Sequence, residues 1–207
     1  MKPLTMKYLK RFLLLIISSI VFFLLYLEFG GGFIINDVDK KMITHEIRDS
    51  EKIPANFSNF YNTVYPNSLS ENSWNFVFSA LIDPDHSQRK ECPCNQMAYR
   101  IFPTLVIKNK VLIDQFLIAR YIEHHYSQQD CLEFNFNHFD FLEDRKGLQK
   151  LSKSLFNKET KDLIPTEMGE ILALYEGPRS NNRNRNPERA KVKARHFLNL
   201  YEKNVNK

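Results

Sequence analysis

The sequence predicts an all-α domain carried on a single N-terminal membrane anchor. Three stretches point there: an uncharged apolar run from Phe12 to Leu27, a broad apolar stretch from Asp114 to Asn137, and a C-terminal third of short amphipathic segments bounded by caps and stops. A chain of 207 residues with 43% hydrophobic content buries one good core. The expected order is a cytoplasmic tail over residues 1–11, an anchor over 12–28, a stalk over 29–70 and a folded domain over 71–207.

The run F-L-L-L-I-I-S-S-I-V-F-F-L-L-Y-L falls slightly short of a hydrocarbon core of ~30 Å at ~1.5 Å per residue. Arg11 can snorkel and Phe29 can extend the apolar length. Lys2, Lys7, Lys10 and Arg11 precede the run and only Glu28 follows closely, which places the N-terminus in the cytoplasm and the bulk of the chain outside. A cleaved signal peptide is the competing reading, with Gly30 to Gly32 as the processing site.

Residues Gly30 to Ser70 mix a flexible triglycine joint, dense alternating charge from Asp37 to Asp49, and Pro and Asn punctuation. Within them Phe57, Phe60, Tyr61 and Tyr65 are spaced to pack on a core. The apolar run Trp74 to Ile82 reads as a buried helix or a strand on periodicity alone.

From Asp114 the apolar residues Phe116, Leu117, Ile118, Tyr121 and Ile122 cover too broad a face for an exposed helix, which makes this a core helix. Ser127 restarts the chain: its hydroxyl caps a second helix from Gln128, and Asp130 completes a capping box. Leu148, Leu151, Leu155 and Phe156 give a short amphipathic helix. Thr166 is a candidate N-cap for Glu167 to Tyr175, Gly177-Pro178 is a stop, and Asn186-Pro187 opens the last helix.

The segment I-E-H-H-Y-S-Q-Q-D-C-L-E-F-N-F-N resembles the L-E-x-x-Y-S-K-x-x-I-L-E-x-Y-L-N segment of the peptidoglycan glycosyltransferases of family 51, which include the monofunctional biosynthetic transglycosylases. The resemblance continues through D-L-I-P-T-E-M-G-E-I-L-A-L-Y-E-G-P to N-P-E-R-A, over somewhat more than half the chain. These motifs specify a fold more than a reaction. They imply a lysozyme-like glycosyltransferase domain, make Trp74 to Ile82 a helix, and imply a lipid-linked glycan precursor and a membrane as partners, alongside cell-wall synthesis proteins.

The resemblance also places the site. A-L-I-D-P-D-H falls on the family's A-x-I-A-x-E-D, so Asp85 stands at the acid that deprotonates the acceptor hydroxyl. The long insertion that the family carries after this acid is reduced to a few residues, which implies a much smaller mobile lobe. Asn95-Gln96 falls on the Q-Q pair, Tyr99 stands where the family has Lys, and Arg100 follows one residue later. Motif R-K-x-x-E falls on Val111-Leu112-Ile113-Asp114-Gln115, which replaces a basic pair with apolar residues and the second acid with an amide.

Glycosyl transfer from a lipid diphosphate needs a base for the attacking hydroxyl and positive charge for the leaving diphosphate. Asp85 keeps a carboxylate on a shorter side chain, and Gln115 cannot carry negative charge at any pH. The candidate site is therefore Asp85 as base with Gln96, Arg100 and Gln115 as substrate-binding residues. The expected function is that of a catalytically impaired family member acting in cell-wall synthesis by binding glycan lipid or a partner. The alternative is an active polymerase with Asp85 as base.

Other chemistries find less support. The histidines lack a zinc spacing, no cofactor fingerprint occurs, and neither metal nor cofactor is expected. Glu123 and Glu133 are the carboxyl candidates for a lysozyme-like hydrolase, although both match structural positions of the family. Three cysteines leave one unpaired and do not read as a disulfide framework; Cys92 and Cys94 are too close to bridge and read as small hydrophobes. From Arg179 to Lys207 nine basic residues face two acidic ones, a tail suited to anionic headgroups or to solvating a terminal helix. No nucleic-acid role is expected outside the membrane.

Overall fold

A computed structural model describes residues 3–82 and 91–206, and among these the chain forms eleven α-helices, one 3-10 turn and no strand. The all-α class expected from sequence is what folds. Helix α1 (Pro3–Phe29) leads through α2 (Gly31–Ile34) into α3 (Asp37–Arg48) and α4 (Ala55–Val64). Then come α5 (Ser73–Ile82), α6 (Pro93–Ile101), α7 (Leu112–His125) and α8 (Gln128–His138). Finally α9 (Leu148–Phe156) and a 3-10 turn at Thr160–Asp162 precede α10 (Pro165–Glu176) and α11 (Pro187–Val205).

Helix α8 is the centre of the domain. Its N-cap hydroxyl, Ser127 Oγ, accepts the Asp130 N–H at 3.1 Å, and the Asp130 carboxylate accepts the Ser127 N–H at 3.0 Å, which closes the expected capping box. Burial pushes the Asp130 pKa up, but the Ser127 hydroxyl and N–H outweigh it and hold the carboxyl below its ordinary value. Leu132 and Phe136 of α8 enter one core with Phe57 and Tyr61 of α4, Leu172 of α10 and Phe197 of α11. Cys131 and Phe134 enter a second core with Ile43 and Ile47 of α3, Met97 of α6 and Ile118 and Ile122 of α7. One helix thus supplies both cores, which is why it is buried almost all round.

The stalk expected over residues 29–70 is instead part of the domain. Ile43 and Ile47 stand one helical turn apart on α3, and Phe57, Phe60, Tyr61 and Val64 on α4, all buried. The physical reason is periodicity: these apolar residues recur at helical spacing, and burying them outweighs the polar and Pro punctuation between them. The caps at the ends of these helices use that punctuation, as where the Asn36 side chain accepts the Asp39 N–H at 2.8 Å.

Within the triglycine, Gly31 is a packing position and not part of a loose joint. A Cβ on Gly31 would lie 2.1 Å from the Leu117 carbonyl oxygen and 2.8 Å from Tyr121 Cβ, so α2 crosses α7 at backbone contact. Gly31→Ala is expected to destabilise the protein by about 1–3 kcal/mol through overpacking. Gly32→Ala, where an added Cβ meets nothing within 4 Å, is expected to leave the melting temperature in detergent unchanged.

Helix α10 begins at Pro165, two residues before the expected Glu167, so Thr166 lies inside the first turn and is not the cap. Glu167 instead turns back to accept the Ile164 N–H at 3.0 Å. Helix α1 carries a 22-residue apolar window, Tyr8–Phe29, none of it buried, and is long and apolar enough to cross a membrane.

Candidate functional site

Helices α6 and α10, with the segments beside them, enclose a cleft of about 440 Å³. Tyr61, Tyr65, Tyr99, Phe139 and Tyr175 give it aromatic walls, and Glu91, Asn95, Gln96, Arg100 and Glu176 give it polar groups. Gln96 and Arg100, four residues apart on α6, share one face of the helix and both reach this cleft.

The Gln96 amide is engaged at both ends: its N–H donates to Glu91, and its oxygen accepts the Tyr175 hydroxyl at 3.0 Å. The Arg100 guanidinium lies 4.7 Å over the Phe139 ring and 5.2 Å from the Tyr175 ring centre. A planar cation stacked on aromatic faces keeps N–H edges for acceptors in the cleft. Glu176, also in the lining, accepts the Tyr65 hydroxyl at 3.2 Å and pairs with Lys193 at 2.7 Å.

Two predicted site residues remain, Gln115 and Asp85. Gln115 is half-buried in the first turn of α7 and is not among the described residues lining the cleft. Asp85 lies outside the described residues. Tyr99, Val111 and Leu112, where the resemblance puts family cations, are solvent-exposed, Leu112 at 85%. Sequence reasoning missed Glu91, Phe139 and Tyr175. Tyr175 entered the sequence reading as the end of the helix from Glu167, and its approach to Gln96 depends on a helix 79 positions away in sequence.

A second polar constellation joins α1, α5, α7 and α8. Arg120 donates to Glu28 through two nitrogens and to Glu123 through a third. Glu123 also accepts the Ser73 N–H at 2.8 Å, the Ser73 hydroxyl at 2.9 Å and the Gln128 amide at 3.3 Å. Trp74 Nε1 donates to Glu28 at 2.6 Å, and His124 Nε2 lies 3.0 Å from the same carboxylate. Burial pulls the Arg120 pKa down, but Glu28 and Glu123 outweigh it and raise it above the ordinary guanidinium value.

The hydrolase candidates are thereby corrected to structural roles. A carboxyl that works as a general acid must hold a proton and point it at substrate; Glu123 instead accepts from Arg120 and several neutral donors. Glu133 accepts Lys52 Nζ at 2.8 Å and the Gln129 amide at 3.1 Å, with its side chain buried.

The cysteine reading also changes. Cys94 of α6 and Cys131 of α8 form a disulfide, with Cα atoms 4.9 Å apart. Cys92 is the free thiol. Burial, aided by the neighbouring Glu123 charge, pushes its pKa up to about 12, so it remains a protonated, unreactive group. No cluster of His, Cys, Asp and Glu suited to a metal ion occurs among the described residues.

Residues 95–202, more than half of the chain, match the sequence model of the transglycosylase family. Among curated proteins, penicillin-binding protein 1A of Neisseria lactamica is 32% identical over 83 residues, covering 40% of this chain and 10% of the relative. Its counterpart in Neisseria gonorrhoeae is 31% identical over 86 residues, covering 42% of this chain and 11% of the relative. The shared segment therefore spans about a tenth of those relatives' length.

Proposed function

Because the chain belongs to the transglycosylase family, we propose that it is a membrane-anchored, peptidoglycan glycosyltransferase-like protein whose polymerase chemistry is impaired and whose retained cleft serves binding or regulation in cell-wall synthesis. The observation that carries this reading is the chemistry at the positions matched to family cations. Tyr99, Val111 and Leu112 offer exposed but uncharged side chains, and Gln115 offers an amide where a second carboxylate would stand. Without those charges a departing diphosphate loses the electrostatic stabilisation on which such transfer depends. The shortened chain between Asp85 and Gln96 supports the same conclusion, since it leaves little length for a lobe to close over a substrate.

The Cys94–Cys131 disulfide supports a domain on the oxidising side of the membrane, with the N-terminal tail in the cytoplasm. One observation favours the active alternative: Arg100 keeps a cation in the aromatic cleft, and it would then hold the diphosphate while Asp85 acts as base.

A polymerisation assay on the purified full chain with a lipid-linked disaccharide, beside an authentic family polymerase, decides between them. The expected result is no glycan product from this chain, with lipid-linked disaccharide still bound and binding weakened by Arg100→Ala. Glycan chains that disappear in Asp85→Asn would establish the active enzyme instead.

A further inference from the structure

Helix α5 carries no charged residue from Ser73 to Ile82, yet Trp74, Phe76, Val77 and Phe78 belong to neither buried core. Its polar side chains are Ser73, Asn75 and Ser79, and the aromatic face that stays outside the core needs another apolar medium. Its neighbour shows which one. A groove of about 490 Å³ runs between α5 and α1, lined by Val21, Leu24, Leu25, Glu28, Trp74 and Phe78. Val21, Leu24, Leu25 and Phe78 are each about half exposed there, at 49%, 46%, 49% and 51%. Among the described wall residues the charged one, Glu28, turns its carboxylate to Trp74, Arg120 and His124, so what remains open is hydrocarbon surface.

We propose that this groove is a lipid site: α5 dips into the leaflet at the C-terminal end of α1, and an acyl chain of a bilayer glycerophospholipid fills the space between them. The inference rests on the reading of α1 as a membrane span, and it adds a second membrane-embedded element to it. The groove wall from Val21 to Glu28 is continuous with the exposed apolar surface of α1, so whatever covers that surface also enters the groove. The seven helical rises from Val21 to Glu28 amount to a depth of about 10 Å, the reach of an apolar face lying below the headgroups. Trp74 sits at the rim, its ring stacked 5.7 Å from Phe78 and its N–H on Glu28, an amphipathic ring with its polar edge satisfied at the interface.

Trp74 is the single tryptophan, so its fluorescence reports this groove alone. The full chain is reconstituted in phosphatidylcholine vesicles whose acyl chains are brominated either near the middle or near the methyl end. Flotation of the vesicles reads insertion of α1 separately. The expected result is a floating protein whose Trp74 emission is blue-shifted, falls by about half with mid-chain bromine, falls less with terminal bromine, and resists aqueous acrylamide. The exposed-site variant Phe78→Asp is expected to float equally while losing most of the bromine quenching.

Protein that floats but is quenched by acrylamide and not by bromolipid overturns the groove and leaves the anchor standing. Protein that does not float overturns both. Quenching relieved by a stoichiometric polyprenyl phosphate assigns the groove to an isoprenoid chain and overturns the acyl assignment, as does quenching unchanged in Phe78→Asp.

Discussion

Replacing Cys94 and Cys131 together with alanine is expected to lower the unfolding free energy by about 4 kcal/mol, from the loop-closure entropy that a bridge across 37 positions removes from the unfolded chain. The bridge fastens α6 to α8, and so ties the wall carrying Gln96 and Arg100 to the centre of the domain. Removing both cysteines keeps a lone Cys94 from exchanging with the Cys92 thiol. Denaturant titration in detergent micelles, with and without reductant, is the measurement. Reductant should shift the native chain toward the variant's midpoint and leave the variant where it is. Equal midpoints for the oxidised native chain and the variant would show that the bridge contributes nothing.

Arg120→Met is expected to cost about 3–5 kcal/mol, the scale for removing one partner of a buried ion pair. The loss follows from what remains. The Glu123 side chain, 7% exposed, would keep only neutral donors, and Glu28 would lose both of its guanidinium bonds. Adding Glu123→Gln to Arg120→Met should recover part of the deficit, because the amide leaves no buried charge behind. A double-mutant cycle by thermal unfolding reads the coupling. Single effects that simply add would mean that the two side chains do not act as a pair.

How much of this was legible depended on whether the signal was local. The Ser127 and Asp130 capping box, the Asn186-Pro187 start and the uncharged run of α1 each lie within a few residues, and each element formed where its signal stood. In residues 29–70 two local signals conflicted. The helical spacing of Ile43 with Ile47 and of Phe57 with Phe60, Tyr61 and Val64 was present, but Asn, Pro and charge between those residues favoured a stalk, and only the burial against α8 and α11 decides the matter.

The disulfide was beyond the sequence for a related reason: its geometry depends on where α6 crosses α8, and an odd cysteine count names no pair. Gln96 and Arg100 were singled out by the family resemblance, and both line the cleft. Their aromatic partners Phe139 and Tyr175 come from distant segments, so only the tertiary fold reveals that the Arg100 guanidinium is stacked.

The Arg120 fork on Glu28 ties α1 to α7, and the close approach of Gly31 to Leu117 ties α2 to the same helix. Where α1 spans a bilayer, any tilt of the helix is passed on to the domain through these contacts. The heading of the cleft would then follow the tilt of α1.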